Sequence, residues 1–396
     1  MPVNKRYYIE VDCQQKNHEG ERICGDVYLS ERIKTEGRII VVLSDGMGHG
    51  VKANMLATLT STMALNFTKE HKDANRIADI IMNTLPVCSE RHISYSTFTI
   101  IDIEANGYTT ILEYDNPQTF IIREDQLFDP GWKCIVLNTE RNAGKEIRTC
   151  SFMSEKEDRI VVTSDGVTQS GLGSEKLPFG WGEENLREFA LRLVHNNPDI
   201  SANQLAGKII SMAYQNDGYM AKDDTSCASV YFREPRKLII STGPPYEKER
   251  DKRLADTLAQ YPGKKILCGA TTADIVAREW DKEIEDTFEM EDPDLPPVSY
   301  MNGVDLITEG ILTLSKVSEL LKVYNNNYIL GKGPADRIVK MLKESDEIHF
   351  VIGTRINIAH QDPNLPVELE IRRTVVKRIA ATLEEKFLKE VSMEFI

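Results

Sequence analysis

The sequence lacks any run of about 18 apolar residues, so nothing in it reads as a bilayer-spanning helix. Its N-terminal stretch, MPVNKRYYIEVDCQQ, lacks the apolar segment of a signal peptide. No basic surplus exists either: 48 Lys+Arg against 62 Asp+Glu leave a formal net charge of -14. That balance argues against a nucleic-acid partner, whose phosphates need cationic neutralisation. The seven cysteines are scattered, and no two have CxxC spacing. A zinc site and a disulfide framework are thereby disfavoured, and a reducing cytoplasm is the expected compartment. GxxxxGK[ST] is absent, which removes the signature of P-loop nucleotide hydrolysis. No long polar tract appears, and hydrophobic residues at 41% with charged residues at 28% describe an ordinary globular protein rather than a disordered one.

What is present suggests two domains, since 396 residues exceed the usual single-domain size. Within residues 1–232, Arg38–Ser44 (RIIVVLS) and Arg159–Ser164 (RIVVTS) are continuous apolar runs of buried-strand type. Val51–Phe67 and Ala74–Leu85 have helical length and spacing, with Pro86 as the stop. Ser94–Ile103, Tyr108–Tyr114 and Thr119–Arg123 read as strands, the first two joined by an Asn106-Gly107 turn. Glu184–His195 and Ser201–Tyr214 read as helices, and Cys227–Phe232 as a closing strand. Strands with helices in pairs favour an α+β sandwich, sheets inside and helices outside. Arg233–Lys237 (REPRK) marks the boundary. Residues 238–396 then alternate strand and helix, as a separate α/β domain would. Strands are expected at Leu238–Thr242, Lys265–Gly269 and Glu347–Gly353, and helices at Glu247–Gln260, Thr271–Trp280, Gly310–Val323, Ala335–Lys343 and Leu369–Val391. The acidic, proline-rich Glu285–Pro297 reads as an exposed loop.

Two segments of the first domain share one design. Ile40–Gly46 is IVVLSDG and Ile160–Gly166 is IVVTSDG, so each sends a buried strand into a carboxylate. The glycine that follows permits a sharp turn and close approach to a ligand. Asp26 after Gly25, and Asp223-Asp224 before the closing strand, add two further acidic points. Any one Asp-Gly is ordinary turn chemistry; the matched set is harder to explain that way. Carboxylates gathered at one sheet end repel unless cations lie between them. A donor set of hard oxygens without His or Cys selects Mg²⁺, Mn²⁺ or Ca²⁺ over zinc.

With these motifs in order, residues 1–232 resemble the metal-dependent protein serine/threonine phosphatases of the protein phosphatase 2C type. The resemblance is to the bacterial branch typified by sporulation stage II protein E, and it rests on GD at Asp26, SDGMGHG at Ser44–Gly50, TSDGV at Thr163–Val167 and KDDTS at Lys222–Ser226. It implies an αββα sandwich and a site with two Mn²⁺ or Mg²⁺ ions. It implies that Asp45 bridges the ions, that Gly46 ligates one through its carbonyl, and that Asp165 and Asp223 hold the other. Asp26 is implied to act through water, and Asp224 to stand beside the site. Asp45, Asp165 and Asp223 are the catalytic set. The implied reaction is hydrolysis of phosphoserine or phosphothreonine on a protein partner by a metal-activated water, in bacterial signalling. A phosphatase fold acting as a sensor or binding protein, and a small-molecule phosphomonoesterase, remain the alternatives.

Residues outside the motifs say less. His49 offers a general acid, or an ordinary hydrogen-bonded side chain in a Gly-rich turn. Arg22 offers a phosphate holder, or a plain surface cation. In residues 238–396, Ser241-Thr242-Gly243 and Gly269-Ala270-Thr271-Thr272 close two strands with small and hydroxyl residues. The second precedes a helix, so it serves an anion or simply a helix cap. A regulatory role is expected for this domain, through a ligand or partner.

Overall fold

The computed structural model describes residues 7–33, 35–70, 74–84, 96–137, 142–287, 290–324, 329–355, 368–387 and 389–396. The chain divides into two compact units, Met1–Glu234 and Pro235–Ile396.

The first unit contains β1 (Tyr8–Lys16), β2 (Val27–Ile33), β3 (Arg38–Ser44), α1 (Gly50–Lys69), α2 (Ala74–Thr84), β4 (Phe98–Ile103), β5 (Tyr108–Tyr114) and β6 (Phe120–Arg123). It continues through β7 (Gln126–Phe128), β8 (Lys133–Val136), β9 (Glu146–Met153), β10 (Arg159–Thr163), α3 (Asp165–Thr168), α4 (Glu183–Asn196), α5 (Ala202–Asn216) and β11 (Thr225–Arg233). Two antiparallel sheets form, in the orders β1-β11-β10-β6-β7 and β2-β3-β4-β5-β9-β8.

Side-chain alternation explains the layering. On β3, Ile39, Val41 and Leu43 share a core with Ile160 and Val162 of β10 and Val230 of β11, which fills the space between the sheets. Ile40 and Val42 point the other way and pack with Ala64 of α1 and Ile77, Ala78 and Ile81 of α2. Val161 of β10 likewise packs outward against Leu186 and Ala190 of α4 and Leu205 and Ile209 of α5. Strands buried on both faces read as near-continuous apolar runs, here Ile39–Leu43 and Ile160–Val162, with the polar residues at their ends. The result is the expected αββα sandwich. The β4–β5 turn forms at Asn106-Gly107, with Gly107 at φ +90°. The expected ends at Ser94, Leu85 and Pro86 lie outside the described residues.

The second unit contains β12 (Lys237–Thr242), α6 (Asp251–Gln260), β13 (Lys264–Cys268), α7 (Ala270–Trp280), β14 (Glu285–Asp286), β15 (Ser299–Met301) and β16 (Val304–Thr308). After these come α8 (Ile311–Val323), α9 (Pro334–Glu344), β17 (Glu347–Ile352), α10 (Glu368–Phe387) and β18 (Glu390–Phe395). Its sheet runs β14-β15-β16-β13-β12-β17-β18. The five strands from β16 to β18 are mutually parallel, and β14 and β15 add antiparallel pairs at one edge. Leu238, Ile240, Ile266 and Phe350 pack on one face with α8, α9 and α10. Ile239, Leu267 and Val351 pack on the other with α6 and α7. This is a doubly wound α/β sheet whose strand order reverses beside β12.

One expectation is corrected. The final helix was expected to run from Leu369 to Val391, but it stops at Phe387, and Glu390–Phe395 is a strand parallel to β17. Charged residues of good helical propensity carry the pattern through Lys386. The alternation Val391, Met393, Phe395 belongs instead to an edge strand, whose hydrogen bonds come from β17. The loop expected over Glu285–Pro297 also contributes the short strand β14, paired to β15.

Candidate active site

Pairing register gathers the four acidic points. Val27 of β2 faces Ser44 of β3, so Asp26 and Asp45, one residue beyond each, emerge at the same end of one sheet. Thr163 of β10 faces Cys227 of β11, so Asp165 and the Asp223-Asp224 pair emerge together at an end of the other sheet. The two ends meet. Ser226 Oγ donates to Asp26 Oδ2 at 2.6 Å, and Ser226 N donates to Ser164 Oγ at 2.9 Å. His18 N donates to Asp224 Oδ1 at 3.0 Å.

Each motif glycine stands where neighbouring backbone or carboxylate comes too close for a side chain. A Cβ on Gly46 would fall 2.0 Å from the Ala53 carbonyl oxygen, and one on Gly166 would fall 2.2 Å from the Asp224 carbonyl oxygen. On Gly25 it would lie 2.6 Å from Asp224 Oδ2. Glycine in these three dipeptides is therefore a packing requirement of the converging motifs. The Asp45 carbonyl is fixed by Ser96 Oγ at 2.8 Å and Thr97 N at 2.9 Å. Gln169 Nε2 donates to Asp165 Oδ2 at 2.8 Å.

Asp45, Asp165 and Asp223 line an open cavity of about 870 Å³. Asp26 and Asp224, each 2% exposed, lie behind it. The electrostatics are strained by crowding. Burial pushes the Asp45 carboxyl well up, reinforced by the charges of Asp26 and Asp165 and a hydrogen bond to Asp165. Burial pushes Asp26 up to about 7 against the hydrogen bonds of Ser226 and Ser164, with the charges of Asp224 and Asp223 adding to it. Asp223 is pushed up to about 6, first by burial and then by Asp165.

Cations fit this arrangement. Asp26 Oδ1 and Asp224 Oδ2 are buried without a hydrogen-bond partner among the described residues. The donors are hard oxygens, which suit Mg²⁺ or Mn²⁺. Among the described residues no three His, Cys, Asp or Glu side chains are yet drawn closely enough to enclose an ion as they stand.

The cavity also holds residues that sequence reasoning missed. Arg148 of β9 and Lys222 line it, as does Glu113 of β5. Arg148 Nε lies 2.8 Å from Glu113 Oε1, and its Nη2 donates to the Asn116 carbonyl at 2.6 Å. Burial raises the Glu113 carboxyl to about 7, although Arg148 pulls the other way. The alternation in EIRTCSFM is the one signal that could have exposed β9 and hence Arg148. Arg22 is exposed and is not among the residues lining the cavity. His49 does line it, with Nδ1 2.8 Å from Glu21 Oε1 and its ring stacked on His18 at 4.4 Å.

Two antiparallel sheets between helical layers, with a carboxylate cluster at one sheet end, define the class of PPM-type (protein phosphatase 2C) phosphatases. Residues 35–233 match the family model of stage II sporulation protein E (SpoIIE), and the chain belongs to that family. Among solved structures, the chain is similar to the phosphatase domain of SpoIIE from Bacillus subtilis. Identity there is 16%, over 58% of this chain and 95% of that one, with a TM-score of 0.43. It is similar to RsbX in complex with magnesium at 17% identity, 57% and 95% coverage and a TM-score of 0.41. It is also similar to the catalytic domain of the serine/threonine phosphatase PstP with two manganese ions, at 12% identity, 57% and 99% coverage and a TM-score of 0.37. No curated protein sequence matches the chain. Among the described residues no helix is long and apolar enough to cross a membrane.

Proposed function

We propose that the first unit hydrolyses phosphoserine or phosphothreonine on a protein partner, in cytoplasmic bacterial signalling. Two Mn²⁺ or Mg²⁺ ions would be held by the Asp45, Asp165 and Asp223 carboxylates and the Gly46 carbonyl. Asp26 would act through water, with Asp224 beside it. The carrying observation is the convergence of these five aspartates, from four separated motifs, at adjoining ends of two sheets.

When bound, such ions lower the pKa of water and neutralise phosphoryl oxygens during in-line displacement. The protein's own groups do the rest. Ser96 and Thr97 fix the Asp45 backbone, which limits how its carboxylate can swing. Gln169 holds one oxygen of Asp165 and leaves the other for a cation. Arg148 and Lys222 are cations of the cavity able to meet phosphate oxygens, and Arg148 is braced for that by Glu113 and Asn116. The cavity, about 870 Å³ and open, has room for a phosphorylated side chain. Pro235–Ile396 would serve as the regulatory unit.

The test starts from the full chain stripped with chelator. Hydrolysis of p-nitrophenyl phosphate and of a phosphoserine peptide is followed with and without Mn²⁺ or Mg²⁺, beside Asp45→Ala. Metal-restored turnover of the peptide that vanishes in the variant is expected. Turnover of p-nitrophenyl phosphate and small phosphate esters without the peptide would favour a metabolite phosphatase instead. Metal binding by calorimetry without any turnover would favour the sensor.

A further inference from the structure

The α/β unit has a cavity of its own, about 650 Å³, at the C-terminal ends of β12, β13 and β16. In doubly wound sheets this is the edge where ligands sit, because βα loops and helix N-termini gather there. Its size falls within the roughly 300–1,000 Å³ of small-molecule pockets.

Two helices start in it. Gly269, at φ +117°, precedes α7, and Gly310 precedes α8. A Cβ on Gly310 would lie only 3.6 Å from Gly269 Cα, so the two helix starts are neighbours. They are not equivalent. The α8 start is occupied by its own acid, since Thr313 N donates to Glu309 Oε2 at 3.2 Å. The α7 start has no side-chain cap and no acidic residue in its first turn. Thr272 N bonds back to the Gly269 carbonyl at 3.1 Å, so the amides left at the positive end of the helix dipole are those of Ala270 and Thr271, both lining residues.

A second observation is independent of the helix. Thr242 and Thr272 both line the cavity, and each is 1% exposed. The Oγ1 of each has no hydrogen-bond partner among the described residues. Burying a hydroxyl without a partner is unfavourable, so two at one cavity mark places for a ligand's acceptors. Arg372 of α10, 8% exposed, brings a guanidinium to the same cavity. The rest of the lining includes an apolar wall of Ile284, Pro296, Pro297 and Ile311. Three carboxylates also line it: Glu309, which accepts from Thr313 N; Asp286, which accepts from Ser299 Oγ at 2.7 Å; and Asp274, which is placed to meet a hydroxyl of the ligand.

We propose that this cavity binds a small organic phosphate, either a nucleoside monophosphate or a sugar phosphate. The phosphate sits on the α7 N-terminus with the Thr272 hydroxyl, Arg372 supplies positive charge, and the organic body lies against the apolar wall. This site is separate from the carboxylate centre of the first unit and does not depend on its activity.

The experiment is calorimetry on the full chain kept in chelator, so that no divalent ion at Asp45 contributes. AMP, ribose 5-phosphate, adenosine and inorganic phosphate are the probes. AMP or ribose 5-phosphate is expected to bind once per chain with Kd of about 1 mM or tighter, and at least about tenfold tighter than adenosine and inorganic phosphate. Tighter binding of AMP identifies a nucleotide, and equal binding of the two a pentose phosphate. Thr271→Glu places a carboxylate at the phosphate position, in a first turn that favours acids, and should weaken binding about tenfold or more at unchanged thermal midpoint. Thr272→Val removes a hydroxyl that has no hydrogen-bond partner among the described residues. It should weaken binding about threefold or more while the midpoint holds or rises. The proposal is overturned if neither phosphate ester binds, if adenosine binds as tightly as AMP, or if both variants bind like the parent chain.

Discussion

At the ends of β3 and β10 the chain places Ser-Asp-Gly; at the ends of β12 and β13 it places Thr-Gly and Cys-Gly. Both units use a buried strand that runs into a glycine, and both open a cavity there. In the first unit each strand end carries a carboxylate, and antiparallel pairing brings in more from the strand beside it. The outcome is a crowd of anions with raised affinity for protons or cations. In the second unit β12, β13 and β16 run parallel and each is followed by a helix, so the starts of α7 and α8 come together at one edge. There the outcome is a mixed lining, with helix-start amides and threonine hydroxyls beside the carboxylates of Asp274, Asp286 and Glu309.

The sharpest way to break this comparison is Asp165→Asn. Metal-restored turnover should fall by about 10³-fold or more, while AMP binding in chelator stays as in the parent chain. Steady-state kinetics and calorimetry on the same preparation check it. Loss of both functions would mean that the two ends are not separate sites.

The glycines come next. Gly46→Ala drives a methyl into a backbone carbonyl 2.0 Å away, whereas at Gly269 the nearest atom is 3.7 Å away and only the φ of +117° opposes a side chain. Urea unfolding should show a loss of roughly 3–5 kcal/mol for Gly46→Ala and roughly 1–3 kcal/mol for Gly269→Ala. Equal losses would remove the steric explanation of the DG motif.

A pH scan separates the units further. Asp26, at about 7, and Asp223, at about 6, lie above the unfolded carboxylate value of 3.8. Their contribution to stability is therefore fully present below about pH 4 and is lost as pH rises through 6 to 7. In chelator the first unit should weaken by roughly 6 kcal/mol between pH 4 and pH 7.5, and Mn²⁺ should restore it. Trp132 and Trp181 report that unit alone once Trp280→Phe silences the other. A flat profile in chelator would contradict the crowding of the carboxylates.

The smallest contrast lies in two hydroxyls. Ser226 Oγ donates to Asp26, whereas Thr242 Oγ1 has no partner among the described residues. Ser226→Ala should cost about 1–2 kcal/mol, and Thr242→Val should be neutral or stabilising by up to about 1 kcal/mol, by chemical denaturation.

The central strands β3 and β10 were legible because burial on both faces keeps Ile39–Leu43 and Ile160–Val162 apolar. The strands around them were not. VYLSERI of β2 and EIRTCSFM of β9 mix polar and apolar residues, because no position of β2 is fully buried and β9 has exposed positions on both of its faces. Lys133–Val136 is too short and too exposed to carry a pattern at all. The same difference explains the site. Aspartates beside glycines at strand ends stand out locally, but Arg148 and Glu113 become cavity residues only through the pairing of β5 with β9.

The amino-acid sequence by itself determined the two-part organisation, the buried strands and the acidic motif ends, since these follow from hydrophobic period and turn chemistry within a few residues. Tertiary structure decided which motifs meet. Register brings Asp26 to Asp45 and Asp165 to Asp223, although they are far apart along the chain. It also decided that Thr242 and Thr272 share one cavity, because parallel pairing of β12 with β13 sets their strand ends side by side.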